Sequence, residues 1–134
     1  MPILSISINA QENGKYDWSS LINAIVQVES KGNPKAHNPN GDCAGILQIT
    51  KITVRECNNI LGAAKSSIKY TYEDRYDAEK SKEMFILLQE HFNKEHNIEK
   101  AIKCWNCGFY NKNWRKCSIE YYKRVLKHYN KGAD

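Results

Sequence analysis

The strongest constraint on the fold of this chain is a helical spacing of apolar residues that recurs in five stretches. Within each stretch the apolar residues return every three or four positions, which places them on one face of an α-helix. The chain has 134 residues, of which 41% are hydrophobic and 26% charged, so it can form one globular domain around such helices. The spacing predicts helices over residues 18–30, 53–61, 78–92, 98–105 and 118–129.

The sequence therefore predicts a mainly α-helical single domain, with a core from about residue 17 to residue 130 and at most a small β element. Within residues 1–14, Leu4, Ile6 and Ile8 alternate with polar residues, which is typical of an edge strand or an extension. This start has no Lys or Arg before its short apolar run, so we expect no signal peptide within the chain. No stretch approaches the roughly 18 apolar residues of a membrane-spanning helix.

Turn residues and apolar stripes give the expected ends and faces of the helices. Gly32 and Pro34 close the first helix, and Gly62 closes the second. In the last helix, Tyr121 and Val125 flank the stripe that we expect to face the core, which consists of Ile119, Tyr122, Leu126 and Tyr129.

Glu29 is the acidic member of an otherwise apolar stripe. Steps of four, three and four residues place it on the same helix face as Trp18, Ile22 and Ile25. A carboxyl group on a buried face, at the negative end of the helix dipole, should keep its proton to higher pH than an ordinary glutamate. A general acid needs this property near neutral pH. An acid in the last turn of a helix is usually a solvated surface group, so the stripe alone does not establish a catalytic role.

The chain contains five cysteines, which are Cys43, Cys57, Cys104, Cys107 and Cys117. An odd number in a chain of this length does not predict a disulfide framework. Cys104, Cys107 and Cys117 could supply three zinc ligands, but there is no second CxxC pair and no histidine at zinc-finger spacing. We therefore expect no metal and three or more free thiols.

The net charge of +5 favours polyanionic partners in general, including nucleic acid, membrane surfaces and bacterial cell wall. The basic residues are spread through the chain without a run of five, so the charge alone does not select a partner. A nucleic-acid-binding helical domain should carry a basic stripe, whereas the predicted helix 78–92 mixes Glu79, Lys80, Lys82 and Glu83. We therefore expect no nucleic-acid partner.

Four short motifs follow one another between about residues 18 and 129. They are the helix end Ile25-Val26-Gln27-Val28-Glu29-Ser30 with Asn33-Pro34-x-Ala36, then Gly45-Ile46-Leu47-Gln48-Ile49, then Trp105-Asn106-Cys107-Gly108, and finally Tyr121 with Val125-Leu126. In this order they resemble the soluble lytic transglycosylases and their goose-type lysozyme relatives. Each motif is weak by itself, and the ordered set is strong. The resemblance implies a lysozyme-like, mainly α-helical domain.

The resemblance also implies an activity, which is cleavage of the β-1,4 bond between N-acetylmuramic acid and N-acetylglucosamine in peptidoglycan. Glu29 would be the single catalytic acid and base, and the muramic acid's own 6-hydroxyl would close onto C1 to leave a 1,6-anhydro end. The partner would be peptidoglycan glycan strands at the bacterial cell wall or in the periplasm, with no cofactor, and we expect a monomer. A wall-cutting domain without a signal peptide fits a phage or mobile-element origin.

Further site residues carry over from the motifs. The resemblance implies that Ser30 shapes the turn after the acid, that Gln48 hydrogen-bonds the sugar, and that Asn106 lies at the back of the site. Tyr121 would point its hydroxyl toward Glu29 or the reacting sugar.

Four positions of the same motifs are less specific. Gly45 and Leu47 would contribute to the cleft, with Leu47 in place of the more common Met, a nearly volume-conserving change. Trp105 stands where the family more often has Tyr. Cys107 occupies a variable motif position, where we expect it to have little role.

The sequence leaves two alternatives open. Asp42 could be a second carboxylate that activates water, as in a goose-type lysozyme-like hydrolase, if it faces Glu29 at about 6.5–9.5 Å. The run Asn40-Gly41-Asp42 is equally typical of a turn. The other alternative is a non-catalytic peptidoglycan-binding module, although the presence of Glu29, Gln48 and Tyr121 favours an enzyme.

Overall fold

The structure, a computed structural model, describes residues 16–133, with side chains through residue 130. Within this range the chain forms α1 (Ser19–Glu29), α2 (Lys51–Ala63), α3 (Ala78–Phe92), α4 (Ile98–Cys107) and α5 (Ile119–Ala133), with 3₁₀ helices at Tyr72–Tyr76 and Trp114–Lys116. No helix in this range is long and apolar enough to span a bilayer. The mainly α-helical class predicted from the sequence is confirmed.

The β structure in the described residues consists of isolated antiparallel bridges. Ala44 pairs with His37 and with Ile49, which folds residues 37–49 into a compact loop between α1 and α2. The edge strand that the sequence predicts within residues 1–14 lies outside the described residues.

The ends of the helices follow local capping chemistry. The third helix has the predicted bounds, Ala78–Phe92. The second begins earlier than predicted because the Thr50 side chain accepts a hydrogen bond from the Thr53 amide at 3.2 Å. Gly62 lies within this helix, so the prediction that it ends the helix is wrong.

The core forms around aromatic side chains from the start of α1, from α3 and from α4. Trp18 and Phe85 are fully buried, and their rings meet edge to face with centroids 5.9 Å apart. Phe85 in turn packs against Trp105 at 4.8 Å. Trp18, Ile22 and Ile25 are all buried, so the predicted apolar stripe of α1 does face the core and carries Glu29 to the edge of that core.

The packing of α5 corrects the face predicted for it. Tyr121 and Val125 are the buried residues, whereas Ile119 is 48% exposed. Tyr122 and Leu126 are only half-buried. The sequence offers two adjacent apolar stripes on this helix, and the contact between α5 and α1 selects the one that contains Tyr121.

Candidate active site

Two cavities adjoin at the end of α1. The first, of about 370 Å³, is lined by Glu29, Gln48 and Glu56 together with aromatic residues that include Trp105 and Tyr110. The second, of about 330 Å³, is more open, and Glu29 and Gln48 line it as well. Glu29 and Gln48 are therefore reachable from both sides, and we refer to the two cavities together as the cleft.

The carboxyl group of Glu29 is held by the side chain of Tyr121. Glu29 is the last residue of α1 and is half-buried, and its Oε2 accepts a 2.7 Å hydrogen bond from the Tyr121 hydroxyl. Burial raises the pKa of Glu29 above that of an ordinary glutamate, while the Tyr121 hydrogen bond and the charge of Arg124 act in the lowering direction. The net pKa is raised, so this carboxyl group has the direction of shift that suits a general acid.

Ser30 fastens the end of α1 to the loop that carries the Gly45–Ile49 motif. Its hydroxyl donates to the Ile46 carbonyl at 2.8 Å and accepts from the Gly32 amide at 3.1 Å. The side chain of Ser30 therefore joins two chain segments behind Glu29.

The backbone of the Gly45–Ile49 motif takes unusual conformations. Gly45 has φ of 81°, and a Cβ atom there would overlap the Arg75 carbonyl oxygen. Gln48 has φ of 51°, and its Nε2 donates to the carbonyls of Gly45 at 2.9 Å and Ala36 at 3.2 Å. These two hydrogen bonds hold a non-glycine residue in the left-handed region and fix its side chain at the cleft.

Leu47 lies in the core instead of the cleft. It is fully buried, and its carbonyl accepts a 3.1 Å hydrogen bond from Trp105 Nε1. Trp105 itself is half-buried and lines the cleft. Leu47 therefore reaches the site through its backbone, by positioning the Trp105 ring.

Asn106 connects the cleft wall to the start of α5. Its Oδ1 accepts a 2.6 Å hydrogen bond from the Ser118 hydroxyl, and its side chain lines the cleft beside Trp105. The motif ends at Gly108, whose φ of 95° lets the chain turn out of α4.

A disulfide joins Cys107 to Cys117, which the sequence analysis did not predict. It closes the segment 108–116, which supplies Phe109 and Tyr110 to the cleft. The small role expected for Cys107 is therefore wrong. Three thiols are free, as expected, and they belong to Cys43, Cys57 and Cys104. No group of three or more His, Cys, Asp or Glu side chains in the described part of the chain could hold a metal ion.

Both carboxylate oxygens of Asp42 accept hydrogen bonds beside the cleft, near the start of α2. Its Oδ2 accepts from the Lys51 amide at 2.5 Å, and its Oδ1 accepts from Arg75 Nη1 at 3.3 Å. The hydrogen bond from Lys51, together with the charge of Arg75, lowers the pKa of Asp42. This geometry is that of an anchor for the turn and for the helix that follows it.

Glu56 is a carboxylate of the cleft that the sequence analysis missed. It lines the cleft from α2, and its Oε1 accepts a 2.8 Å hydrogen bond from the Tyr110 hydroxyl. Ile52 and Thr53, which precede it by four and three residues, also line the cleft. That helical spacing, which places all three on one face, is the signal in the sequence that could have revealed Glu56.

Arg75 is a second residue that the sequence analysis did not single out. It is 5% exposed, and its guanidinium donates to the carbonyls of Asp42 at 2.6 Å, Ile49 at 3.1 Å and Tyr72 at 2.9 Å. Arg75 thus binds both ends of the loop that carries Gln48. The sequence gives no periodic signal for it, because it lies in a segment without a regular apolar pattern.

Comparison with known protein families gives one match, to the transglycosylase SLT domain, over residues 6–132. No curated protein and no solved structure matches the chain significantly. The family match covers nearly the whole chain and includes every residue of the cleft described above. The chain therefore belongs to the transglycosylase SLT domain family, which gives it a lytic-transglycosylase type of action on peptidoglycan.

Proposed function

We propose that this protein is a peptidoglycan lytic transglycosylase that uses Glu29 as its only catalytic carboxylate. It cleaves the β-1,4 bond between N-acetylmuramic acid and N-acetylglucosamine and leaves 1,6-anhydro ends. The observation that supports this proposal is the position of Glu29, which is half-buried at the junction of the two cavities and hydrogen-bonded by Tyr121 at 2.7 Å.

The raised pKa of Glu29 suits the first step of this reaction. The protonated carboxyl group gives its proton to the glycosidic oxygen as the bond from that oxygen to C1 of the muramic acid breaks. In the second step the carboxylate takes the proton of the muramic acid's 6-hydroxyl while that oxygen forms a bond to C1. Glu29 ends as it began, protonated, and no water is consumed.

Tyr121 stabilises the carboxylate between these two steps. Its hydroxyl donates to Glu29 Oε2, and a hydrogen bond to the charged form of an acid favours that form. Burial and this hydrogen bond act in opposite directions on the same carboxyl group. Their balance lets Glu29 alternate between acid and base.

The other cleft residues would hold the sugars. Because Nε2 of Gln48 already donates hydrogen bonds to two backbone carbonyls, we expect its side-chain oxygen to accept a hydrogen bond from a sugar hydroxyl. Trp105 and Tyr110 offer aromatic surface in the cleft, and Tyr110 is 74% exposed. Stacking of sugar rings on such surface would place the bond to be cleaved at Glu29.

A hydrolytic muramidase is the second candidate, and the observation that favours it is Glu56 in the same cleft as Glu29. A hydrolase that inverts configuration needs a second carboxylate to activate water. Asp42 is the other candidate for this role, but its two oxygens are bound by Lys51 and Arg75. Glu56 in turn is bound by Tyr110. We therefore place transglycosylation first.

The test is mass spectrometry of the soluble fragments released from peptidoglycan by the purified protein, with Glu29→Gln as the matched control. Anhydro-muramyl ends, lighter by one water than ordinary reducing ends, would support the proposal if Glu29→Gln releases nothing. Ordinary reducing ends would show hydrolysis, and Glu56→Gln and Asp42→Asn would then identify the second carboxylate. No release by the unmodified protein would favour a binding module and reject an enzyme.

A further inference from the structure

The net charge of the chain resides in its last segment. Residues 1–111 contain 13 Lys and Arg and 13 Asp and Glu, so they are neutral overall. Residues 112–134 contain seven Lys and Arg and two Asp and Glu, which accounts for the entire charge of +5. The basic excess is therefore a local property of the second 3₁₀ helix and α5, and it requires a local explanation.

The cations of this segment point into solvent. We define the basic C-terminal surface by six exposed side chains, those of Lys112, Arg115, Lys116, Lys123, Arg124 and Lys127. Among the described residues, only Lys123 of these six forms an ion pair, with Glu120 at 3.6 Å. Arg115 lies over the Trp114 ring at 4.4 Å. Most of this charge is thus uncompensated by the described protein.

Helix geometry keeps the cations of α5 together. With about 3.6 residues per turn, Lys123, Arg124 and Lys127 fall within about a third of the helix circumference. Tyr121 and Val125 lie on the opposite side, where they are buried against the rest of the domain. The amphipathic helix therefore presents a basic face outward while its apolar face holds it in place.

The 3₁₀ part of the surface is fixed to the same helix. The disulfide between Cys107 and Cys117 closes the segment that contains it. The buried Lys103 donates its Nζ to the Arg115 carbonyl at 2.5 Å and lies 5.1 Å from the centre of the Tyr122 ring. These contacts make one structural unit of the 3₁₀ helix and α5, so a ligand meets a preformed set of cations.

Arg124 connects this surface to the proposed active site. The Arg124 guanidinium lies 6.0 Å from the centre of the Tyr121 ring, and the hydroxyl of that ring is 2.7 Å from Glu29. We expect a polymer lying at Glu29 to carry its side groups past the edge of α5. In peptidoglycan these side groups are peptide stems attached to the muramic acid, and they carry free carboxylates.

We propose that the basic C-terminal surface binds the carboxylates of the peptide stems that project from the glycan strand in the cleft. This inference rests on the proposed function, because it takes peptidoglycan as the polymer at Glu29. The ligand of the protein then includes the stem peptide as well as the glycan strand. Exposed charge pairs of this kind are individually weak and are screened by salt, so the binding should depend on several cations and on ionic strength.

The test compares two triple variants in the Glu29→Gln background, so that binding is measured without cleavage. The first combines Lys112→Gln, Lys116→Gln and Lys127→Gln, whose side chains make no hydrogen bond or ion pair with a described residue. The control combines Lys65→Gln, Lys69→Gln and Lys94→Gln, which remove the same charge from exposed positions elsewhere. Each is sedimented with sacculi free of teichoic acid, and with the same sacculi after carbodiimide amidation of their carboxylates.

We expect the first triple variant to bind native sacculi about three- to tenfold more weakly than the control, a difference that amidation or high salt removes. Equal binding by the two variants, or a difference that survives amidation, would overturn the proposal. Tighter binding of the parent protein to phosphatidylglycerol vesicles than to native sacculi would identify a membrane surface as the ligand and would also overturn it. Fragment release by the protein with Glu29 intact tests the proposed function separately, so either idea can fail alone.

Discussion

The hydroxyl of Tyr121 donates a 2.7 Å hydrogen bond to Oε2 of Glu29, which joins two residues that are 92 positions apart. The contact closes α5 onto the end of α1, and it does so at a carboxyl group that lines both cavities. The same hydrogen bond that stabilises the packing of α5 therefore also influences the proton affinity of Glu29.

Tyr121→Phe should separate these two effects. It removes a hydrogen bond that lowers the pKa of Glu29, so that pKa should rise further and the alkaline fall in kcat/KM should move to higher pH. The carboxylate in the second step loses its partner, and we expect a roughly 10- to 100-fold lower rate at the optimum. A pH–rate profile measures both. An unchanged alkaline limb would contradict the assignment of Glu29 as the acid.

Glu29→Gln should reduce fragment release by roughly 10²- to 10⁴-fold or more while the protein still folds. It should also change the pH dependence of stability. The pKa of Glu29 is raised above 4.5 in the folded state, so the unmodified protein loses stability as pH rises from about 4.5 through that raised pKa. The variant cannot ionise there. The unfolding temperature of the variant, relative to that of the unmodified protein, should therefore be higher at neutral pH than at pH 4. A difference between the two proteins that decreases with rising pH would be inconsistent with burial of this acid.

Removing the disulfide should loosen the cleft wall. The bridge closes a sequence separation of 10, for which chain entropy gives about 3 kcal/mol of stabilisation. The double variant Cys107→Ser and Cys117→Ser should therefore unfold at lower temperature and act more slowly, since Phe109 and Tyr110 lie in the freed segment.

The thiol count provides the control for that experiment. Without reductant the unfolded chain should show three reactive thiols, and after reduction it should show all five. Cys43→Ser removes a free thiol and should leave the bridge intact. Five reactive thiols before reduction would show that the pairing does not form.

Two glycine substitutions form a matched pair. Gly45→Ala places a Cβ on the Arg75 carbonyl oxygen at a φ of 81°, so the loop that carries Gln48 must move, and both stability and activity should fall sharply. Gly62→Ala introduces a Cβ with no atom within 4 Å, inside α2, and should stabilise the protein by about 0.5–1 kcal/mol. Thermal unfolding of both variants is the measurement. A tolerated Gly45→Ala would mean that the loop is not packed against Arg75.

The helices that are long and strongly patterned were predictable from the sequence. The bounds of α3 follow from its periodic apolar face and from Asp77, which caps it. The position of Glu29 at the edge of the core follows from the apolar stripe of α1. Prediction failed where two patterns compete or where no pattern exists. In α5 the stripes containing Tyr121 and Tyr122 are similarly apolar, and only the surface of α1 decides between them.

Other features are invisible to any local pattern. Arg75 organises the site through carbonyl groups that lie 26 and 33 positions away, and hydrogen bonds to carbonyls carry no sequence signature. The pairing of Cys107 with Cys117 depends on how tightly the chain turns after Gly108. The basic C-terminal surface is visible in the sequence only as an imbalance of charge between residues 1–111 and 112–134, because it contains no run of five basic residues.

The two cavities that meet at Glu29 have a consequence for the products. Because Glu29 lines both cavities, we expect a long strand to lie across it with sugars on both sides, so the proposed cleavage would need no free chain end. We therefore expect the proposed activity to cut internal bonds. It would shorten strands to a broad distribution of lengths and weaken a wall quickly with few cuts, whereas an enzyme that removes terminal disaccharides would release them one at a time.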